Sequence, residues 1–202
     1  GGGQKLALLA RYILEQELPR HDVIVFTDSY DVMYLRDLDT LVGRFLGFKH
    51  EMVFSAEQYL WPDESLRFPP SPTKYRYLNS GTFVARVGEL KRMLSFPLAN
   101  HEDDQLYMQK AYLTGRYDAV LDHEGYIFQT HENHVVVKEG GLANPLTGCY
   151  ACVYHANGGP EQKARMEGLY KQLFPPIKYA QAQTFEVIGN EMLLIDLLSP
   201  SQ

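Results

Sequence analysis

The sequence predicts an α/β layered domain, and three observations carry the prediction. In the first half, helical apolar stripes alternate with short apolar β runs. One run, Val23-Ile24-Val25-Phe26, is apolar without a break, the pattern of a strand covered on both faces as parallel strands are. It stops abruptly at Thr27-Asp28-Ser29-Tyr30-Asp31, a polar turn beyond the carboxyl end of a strand, where α/β sheets bind their ligands.

Taken in order, residues 4–18 carry Leu6, Leu9 and Ile13 with Leu8 and Tyr12, a helical stripe that Pro19 closes. A second helix is expected over 39–48, with Asp39 as N-cap and Gly47 near its end. Residues 52–54 are the next strand, followed by a long loop marked by Pro62, Pro69, Pro70 and Pro72. Extended chain over 75–87 is interrupted by Asn79-Ser80-Gly81, and a short helix follows near 88–95. Helix with Leu106, Met108 and Leu113 comes after an acidic start, then short strands near 118–121, 126–128 and 134–137. A strand over 150–154 runs into His155-Ala156-Asn157-Gly158-Gly159-Pro160 and a helix over 161–173. The expected organisation is one domain over 1–174 and a tail over 175–202 whose apolar patch, 192–198, has no assigned packing.

The arithmetic narrows the partners. The chain has 202 residues, 22% charged, and a net charge of -6, with no clustered basic face of the kind that tracks a phosphate backbone or an anionic membrane. No apolar run approaches the roughly 20 residues of a membrane-spanning helix. Cys149 and Cys152 form a single CxxC in an apolar β-like run, which reads as strand packing rather than a zinc or redox motif. The opening Gly1-Gly2-Gly3-Gln4 has neither an initiating Met nor a signal-like segment and reads as the interior of a longer chain.

Four places have residues suited to chemistry. Asp28 and Asp31, three apart on a turn, can converge on a hard divalent cation such as Mn²⁺ or Mg²⁺, or else form a solvated turn with Asp28 capping a helix. His155 offers an imidazole, the glycines after it admit backbone amides to a phosphate, and Lys163 stands at the next helix start; a loop histidine and a plain turn would look the same. Asn79-Ser80-Gly81 inside an apolar extended run lines a pocket or forms a β-bulge. Glu102-Asp103-Asp104-Gln105 opens a helix, where the dipole alone favours acids.

Together these segments resemble a family, the glycosyltransferase domain of the procollagen lysyl hydroxylases and the related collagen hydroxylysine glycosyltransferases. The resemblance runs from residue 1 to about 173. It rests on Gly1-Gly2-Gly3-Gln4-Lys5, Phe26-Thr27-Asp28-Ser29-Tyr30-Asp31-Val32, Phe54-Ser55-Ala56-Glu57, Trp61-Pro62, Leu78-Asn79-Ser80-Gly81 and Asp103-Asp104-Gln105-Leu106. It continues through Leu121-Asp122-His123, Ile127-Phe128-Gln129 and His155-Ala156-Asn157-Gly158, nine motifs in order.

The resemblance implies a GT-A type nucleotide-sugar transferase fold, a Rossmann-like mixed sheet flanked by helices, truncated at its N-terminus. By it, Asp28, Asp31 and His155 match the Mn²⁺ ligands. Lys5, Tyr30, Asn157, Gly158 and Lys163 match residues around the nucleotide and diphosphate. Trp61 matches an aromatic of the sugar site, and Asn79 with Asp103 and Asp104 falls where donor sugar and acceptor meet. The implied donor is a UDP-hexose, glucose or galactose, the acceptor hydroxylysine or a similar hydroxylated protein side chain, and the compartment the endoplasmic reticulum lumen. A metal would neutralise the departing diphosphate, and Asp103 or Asp104 would take the acceptor proton if configuration inverts. The uridine pocket is expected to lack one wall, because the family's first strand lies upstream of Gly1, so that Val23–Thr27 lacks a neighbour that normally covers it. Three departures stand out: Thr82 replaces a second glycine, the acidic run shortens to Glu102-Asp103-Asp104, and extra residues precede Lys163. They keep a second function class open, a catalytically silent module with a structural or protein-binding role. A metal-dependent hydrolase with a DxxD turn is a distant third.

Overall fold

A computed structural model describes residues 2–95 and 99–175, together with the backbone of 184–188 and 191–195. Helix α1 (Gly3–Glu15) leads to β1 (Val23–Thr27) and β2 (Val32–Tyr34), then α2 (Leu38–Phe48), β3 (Met52–Glu57) and β4 (Tyr77–Arg86). Two helices follow, α3 (Val87–Met93) and α4 (Asp104–Leu113), then β5 (Ala119–Asp122), β6 (Phe128–Thr130), β7 (Val136–Lys138), β8 (Gly141–Ala143), β9 (Val153–His155) and α5 (Pro160–Leu173). A hairpin of β10 (Thr184–Ile188) and β11 (Glu191–Ile195) forms part of the tail; the remainder of the 192–198 patch, and the side chains of all of it, lie outside the described residues. Among the described residues no helix is long and apolar enough to cross a membrane.

One mixed sheet organises the domain in the order β1-β4-β3-β6-β9-β2, with β5 also paired to β3. The β3–β5, β3–β6 and β6–β9 pairs are parallel, the others antiparallel. The α/β class is as the sequence predicts, but β1 is not a parallel strand. It pairs antiparallel with β4 at the sheet edge, and its residues are half-buried. Its unbroken apolar run has a simpler origin. Ile24 and Phe26 pack on one core cluster with Phe54 and Phe83, while Val23 and Val25 pack on another with Leu41, Phe45 and Val153. Periodicity reports how many faces are covered, not the direction of the neighbouring strand.

Several boundaries shift for local reasons. Asp37, not Asp39, caps α2, accepting from the Thr40 amide at 2.7 Å; the helix ends one residue past Gly47, with Lys49 in the left-handed region as its C-cap. Asp28 caps no helix, because the turn after it leads into β2. The Cys149–Cys152 segment precedes β9 rather than lying in a strand over 150–154; both cysteines are free, and Cys152 is buried beside Val153. Strands β2 and β8 are too short to show a period.

The most consequential difference is in β4, which runs unbroken through Asn79-Ser80-Gly81. Phe83 pairs with Phe54 while Asn79 pairs with the next residue, Ser55, so Ser80, Gly81 and Thr82 are extra residues on β4 opposite β3. This is an enlarged bulge, at the end of the sheet where the carboxyl ends of β1, β3, β6 and β9 gather. The expectation of a bulge and that of a pocket lining are both met by the same residues.

Candidate functional site

Because β1 and β2 occupy opposite edges of the sheet, the segment between them crosses the strand ends and holds Asp28 at one side and Asp31 at the other. The β2–β9 register sets Val32 opposite His155, and the Ala156 amide donates to the Asp31 carbonyl at 2.7 Å. Asp31 and His155, distant in sequence, are thereby locked side by side. The His155 Nε2 lies 3.7 Å from Asp28 Oδ2 and 3.6 Å from Asp31 Oδ1, and one ligand atom from each of the three residues falls within 4.8 Å of the others.

The imidazole is oriented from behind. Asn79 Oδ1 accepts from the Gly81 amide (3.0 Å) and the Ser55 hydroxyl (3.3 Å), which identifies it as the oxygen end of the amide. The His155 Nδ1, 3.1 Å away, therefore carries a proton and donates to it, leaving the Nε2 lone pair facing the two carboxylates. Burial holds His155 below the ordinary histidine range, outweighing the pull of Asp31 and Asp28, so the ring is neutral. Gly81 makes the close packing feasible: a Cβ there would lie 2.2 Å from His155 Cε1 and 2.7 Å from Asp28 Oδ2. Two carboxylate oxygens and one imidazole nitrogen with an outer-shell amide fit a divalent cation such as Mn²⁺.

Cations of the chain surround this acceptor-rich point. Lys5 Nζ bridges Asp28 Oδ1 (2.8 Å) and Asp104 Oδ2 (3.0 Å). Burial opposes its charge, but the hydrogen bonds to the two carboxylates outweigh it and hold its pKa above the ordinary value. Lys163, in the first turn of α5, reaches to 3.5 Å from Asp31 Oδ2 despite the residues inserted before it. Helix α1 can approach only because it starts with glycines: a Cβ on Gly2 would meet Asp104 Oδ1 at 1.7 Å.

A cavity of about 380 Å³ opens on this cluster, lined also by Trp61, Asn157, Gly158 and Asp103. Asp103 caps α4 by accepting from the Leu106 amide at 2.8 Å; Asp104 is mostly buried and also receives the Ser80 hydroxyl at 2.7 Å. Trp61 is 63% exposed at the cavity wall. Tyr30, 90% exposed on the crossing segment, does not line the cavity. Thr82 is fully buried and outside the lining, so its bulk does not narrow the cleft.

Sequence reasoning gave no chemical role to Glu57 or Gln105. Glu57 ends β3 at the cavity, accepting from Gln105 Nε2 (2.8 Å) and Asn157 Nδ2 (2.9 Å), and burial pushes its carboxyl up to about 7.

Comparison with known proteins shows the family. A family model described as the PLOD GT domain matches residues 1–172. Procollagen-lysine,2-oxoglutarate 5-dioxygenase 1 of Gallus gallus is 36% identical over 185 residues, covering 84% of this chain and 25% of that protein. The multifunctional procollagen lysine hydroxylase and glycosyltransferase of Caenorhabditis elegans is 30% identical over 187 residues, 84% of this chain and 26% of its own length. Protein R699 of Acanthamoeba polyphaga mimivirus, uncharacterized, is 34% identical over 179 residues, again 84% of this chain and 38% of its own. The chain thus spans between about a quarter and two-fifths of these relatives.

Proposed function

The chain belongs to the PLOD GT domain family, a GT-A-like glycosyltransferase domain, and from that premise we propose that it is a Mn²⁺-dependent hexosyltransferase. In this reading it moves glucose or galactose from a UDP-sugar to hydroxylysine or a similarly hydroxylated, collagen-like acceptor, in the lumen of the endoplasmic reticulum. The observation that carries the reading is the convergence of Asp28, Asp31 and a neutral, Asn79-oriented His155 on one point of the cleft.

The chain's own groups divide the work. Asp28, Asp31 and His155 would hold the cation, which when bound supplies Lewis-acid neutralisation of a diphosphate. Lys163 and Lys5 bring positive charge to the same place, where each would share the charge of a diphosphate. Asn157 and Gly158 form the edge of the cavity nearest α5, and Tyr30 would reach the nucleotide from the exposed crossing segment. Trp61 covers the sugar, and Asn79, Asp103 and Asp104 border the place where the acceptor hydroxyl enters. Glu57, with its carboxyl near 7, is better matched to receive that hydroxyl's proton at neutral pH than the ion-paired Asp104 or the helix-capping Asp103.

Calorimetry of UDP, CDP and ADP with Mn²⁺ or with chelator tests the reading. UDP binding that needs the metal and disappears in Asp31→Asn supports it. Equal binding with and without metal, or no UDP binding in either condition, overturns it.

A further inference from the structure

Helix α4 presents two glutamines one turn apart to the back of the cleft. Gln105 Nε2 donates to the Trp61 carbonyl at 2.8 Å and to Glu57 Oε1 at 2.8 Å, while its Oε1 accepts from the Ser80 amide at 3.3 Å. Gln109 Nε2 donates to the same Trp61 carbonyl at 2.9 Å and to the Leu78 carbonyl at 3.0 Å. The four bonds of the two Nε2 groups end on three acceptors, so only the NH₂ ends of these amides can face them, and both amides have their donors fully used.

Gln109 is fully buried, and this orientation leaves its Oε1 without a partner. A side chain selected for packing would not strand a polar oxygen in the interior, because Leu or Met fills the same space without it. What glutamine adds at 109 is a donor shared by two carbonyls, one on Trp61 and one on Leu78, the residue before Asn79. The Trp61 carbonyl is held by two donors at once, which fixes the peptide plane and with it the direction in which the half-exposed indole leaves the backbone. The indole itself is 63% exposed, so its own packing does little to orient it.

We infer that Gln105 and Gln109 are positioning residues that aim the Trp61 indole over the cleft and tie it to the strand that carries Asn79. Neither needs to touch substrate; Gln109 acts from inside the core. Building on the hexosyltransferase reading, the pair determines how well the sugar of the donor, rather than its nucleotide, is recognised.

Trp61 is the single tryptophan of the chain, so its fluorescence reports this wall of the cleft alone. Gln109→Met keeps the volume and removes both the shared donor and the stranded oxygen. In Gln109→Met, and in Gln105→Met as a second variant at a less buried position, Trp61 anisotropy should fall and acrylamide quenching should rise, with melting temperature held or raised for Gln109→Met. UDP affinity should be unchanged, while the extra affinity of UDP-hexose over UDP should drop roughly tenfold, the scale of effect expected when a contact group is displaced by a fraction of an ångström to an ångström. In a Trp61→Ala background the glutamine substitutions should cause no further drop in that difference, because the glutamines act through the indole. Unchanged anisotropy and quenching in both folded variants would overturn the inference, as would full additivity with Trp61→Ala. If wild-type protein binds UDP-hexose no better than UDP, the transferase reading fails, and the two fluorescence measurements still decide the positioning claim by themselves.

Discussion

Two of the polar clusters among the described residues, one around Tyr75 and one around His155, are built on opposite plans. Around Tyr75, a phenol, two amides and an imidazole pair donor with acceptor. The phenol accepts from Gln129 Nε2 (3.0 Å) and Asn144 Nδ2 (2.9 Å) and donates to His134 Nε2 (2.8 Å), while Asn144 Nδ2 also donates to Gln129 Oε1 at 2.8 Å. Burial lowers the His134 pKa, which keeps the ring neutral and its Nε2 an acceptor. Around His155 the plan is reversed: two carboxylates and a lone pair face one point, and the nearest approaches among them, 3.6 and 3.7 Å, are too long for hydrogen bonds. A saturated network stiffens a fold, whereas converging acceptors without enough donors call for a cation. Burial of polar groups alone therefore says little about function; the imbalance of donors and acceptors says a great deal.

The comparison breaks most visibly if the two clusters are disarmed in parallel. Asp31→Asn should weaken Mn²⁺-dependent UDP binding on the order of 100-fold with little change in melting temperature, since it removes a ligand but also relieves like-charge crowding. Gln129→Leu should do the opposite, lowering stability by about 2 kcal/mol through the partners it strands, with UDP affinity intact. Calorimetry and thermal denaturation on both variants would show whether the two plans separate as described.

Gly81→Ala comes next in size. The new methyl must displace His155 or Asp28, so metal affinity should fall roughly tenfold and the melting temperature with it. A fully active Gly81→Ala would mean that the imidazole has room the structure does not show.

Glu57 sharpens the contrast through pH. Its carboxyl titrates near 7 in the fold and near 4.5 when unfolded, so the folded state binds more protons between those values. Stability should accordingly fall as pH rises from about 4.5 to 7 and level off above, by on the order of 3 kcal/mol if Glu57 alone were responsible. Burial raises Glu132 to about 7 as well and adds to the same slope, so the informative measurement is Glu57→Gln against wild type. That variant should gain melting temperature at pH 8, gain little at pH 5, and lose transferase activity, the trade expected of a group kept for chemistry. The smallest effect expected is that of Asp37→Ala, which removes the α2 cap and should lower the melting temperature slightly without touching UDP binding.

The elements that sequence reading located correctly are those whose signal is local. The polar turn after Val23–Thr27, the His155 loop and the acidic start of α4 each interrupt an apolar pattern within a few residues, and all three border the cleft. Asn79 was found for the same reason, as a polar residue in an apolar run. Glu57, Gln105 and Gln109 were not assigned roles because nothing within a few residues of them is unusual. Glu57 acquires its raised pKa from burial, against the opposing hydrogen bonds of Gln105 and Asn157, which lie 48 and 100 residues away in the chain. Gln109 is unremarkable on a helix until its neighbours are known to be two backbone carbonyls.

By itself, the sequence determined the α/β class, the order of the motifs and the residue types at the metal point, because these follow from apolar periodicity and from where it is interrupted. Only the tertiary structure decided that β1 runs antiparallel at an edge, that Ser80, Gly81 and Thr82 bulge out of the ladder with β3, and that Asp31 and His155 share a register across β2 and β9. Strand direction and register are properties of pairs of segments, fixed by hydrogen-bond ladders between residues far apart, and a single chain read along its length carries no term for them.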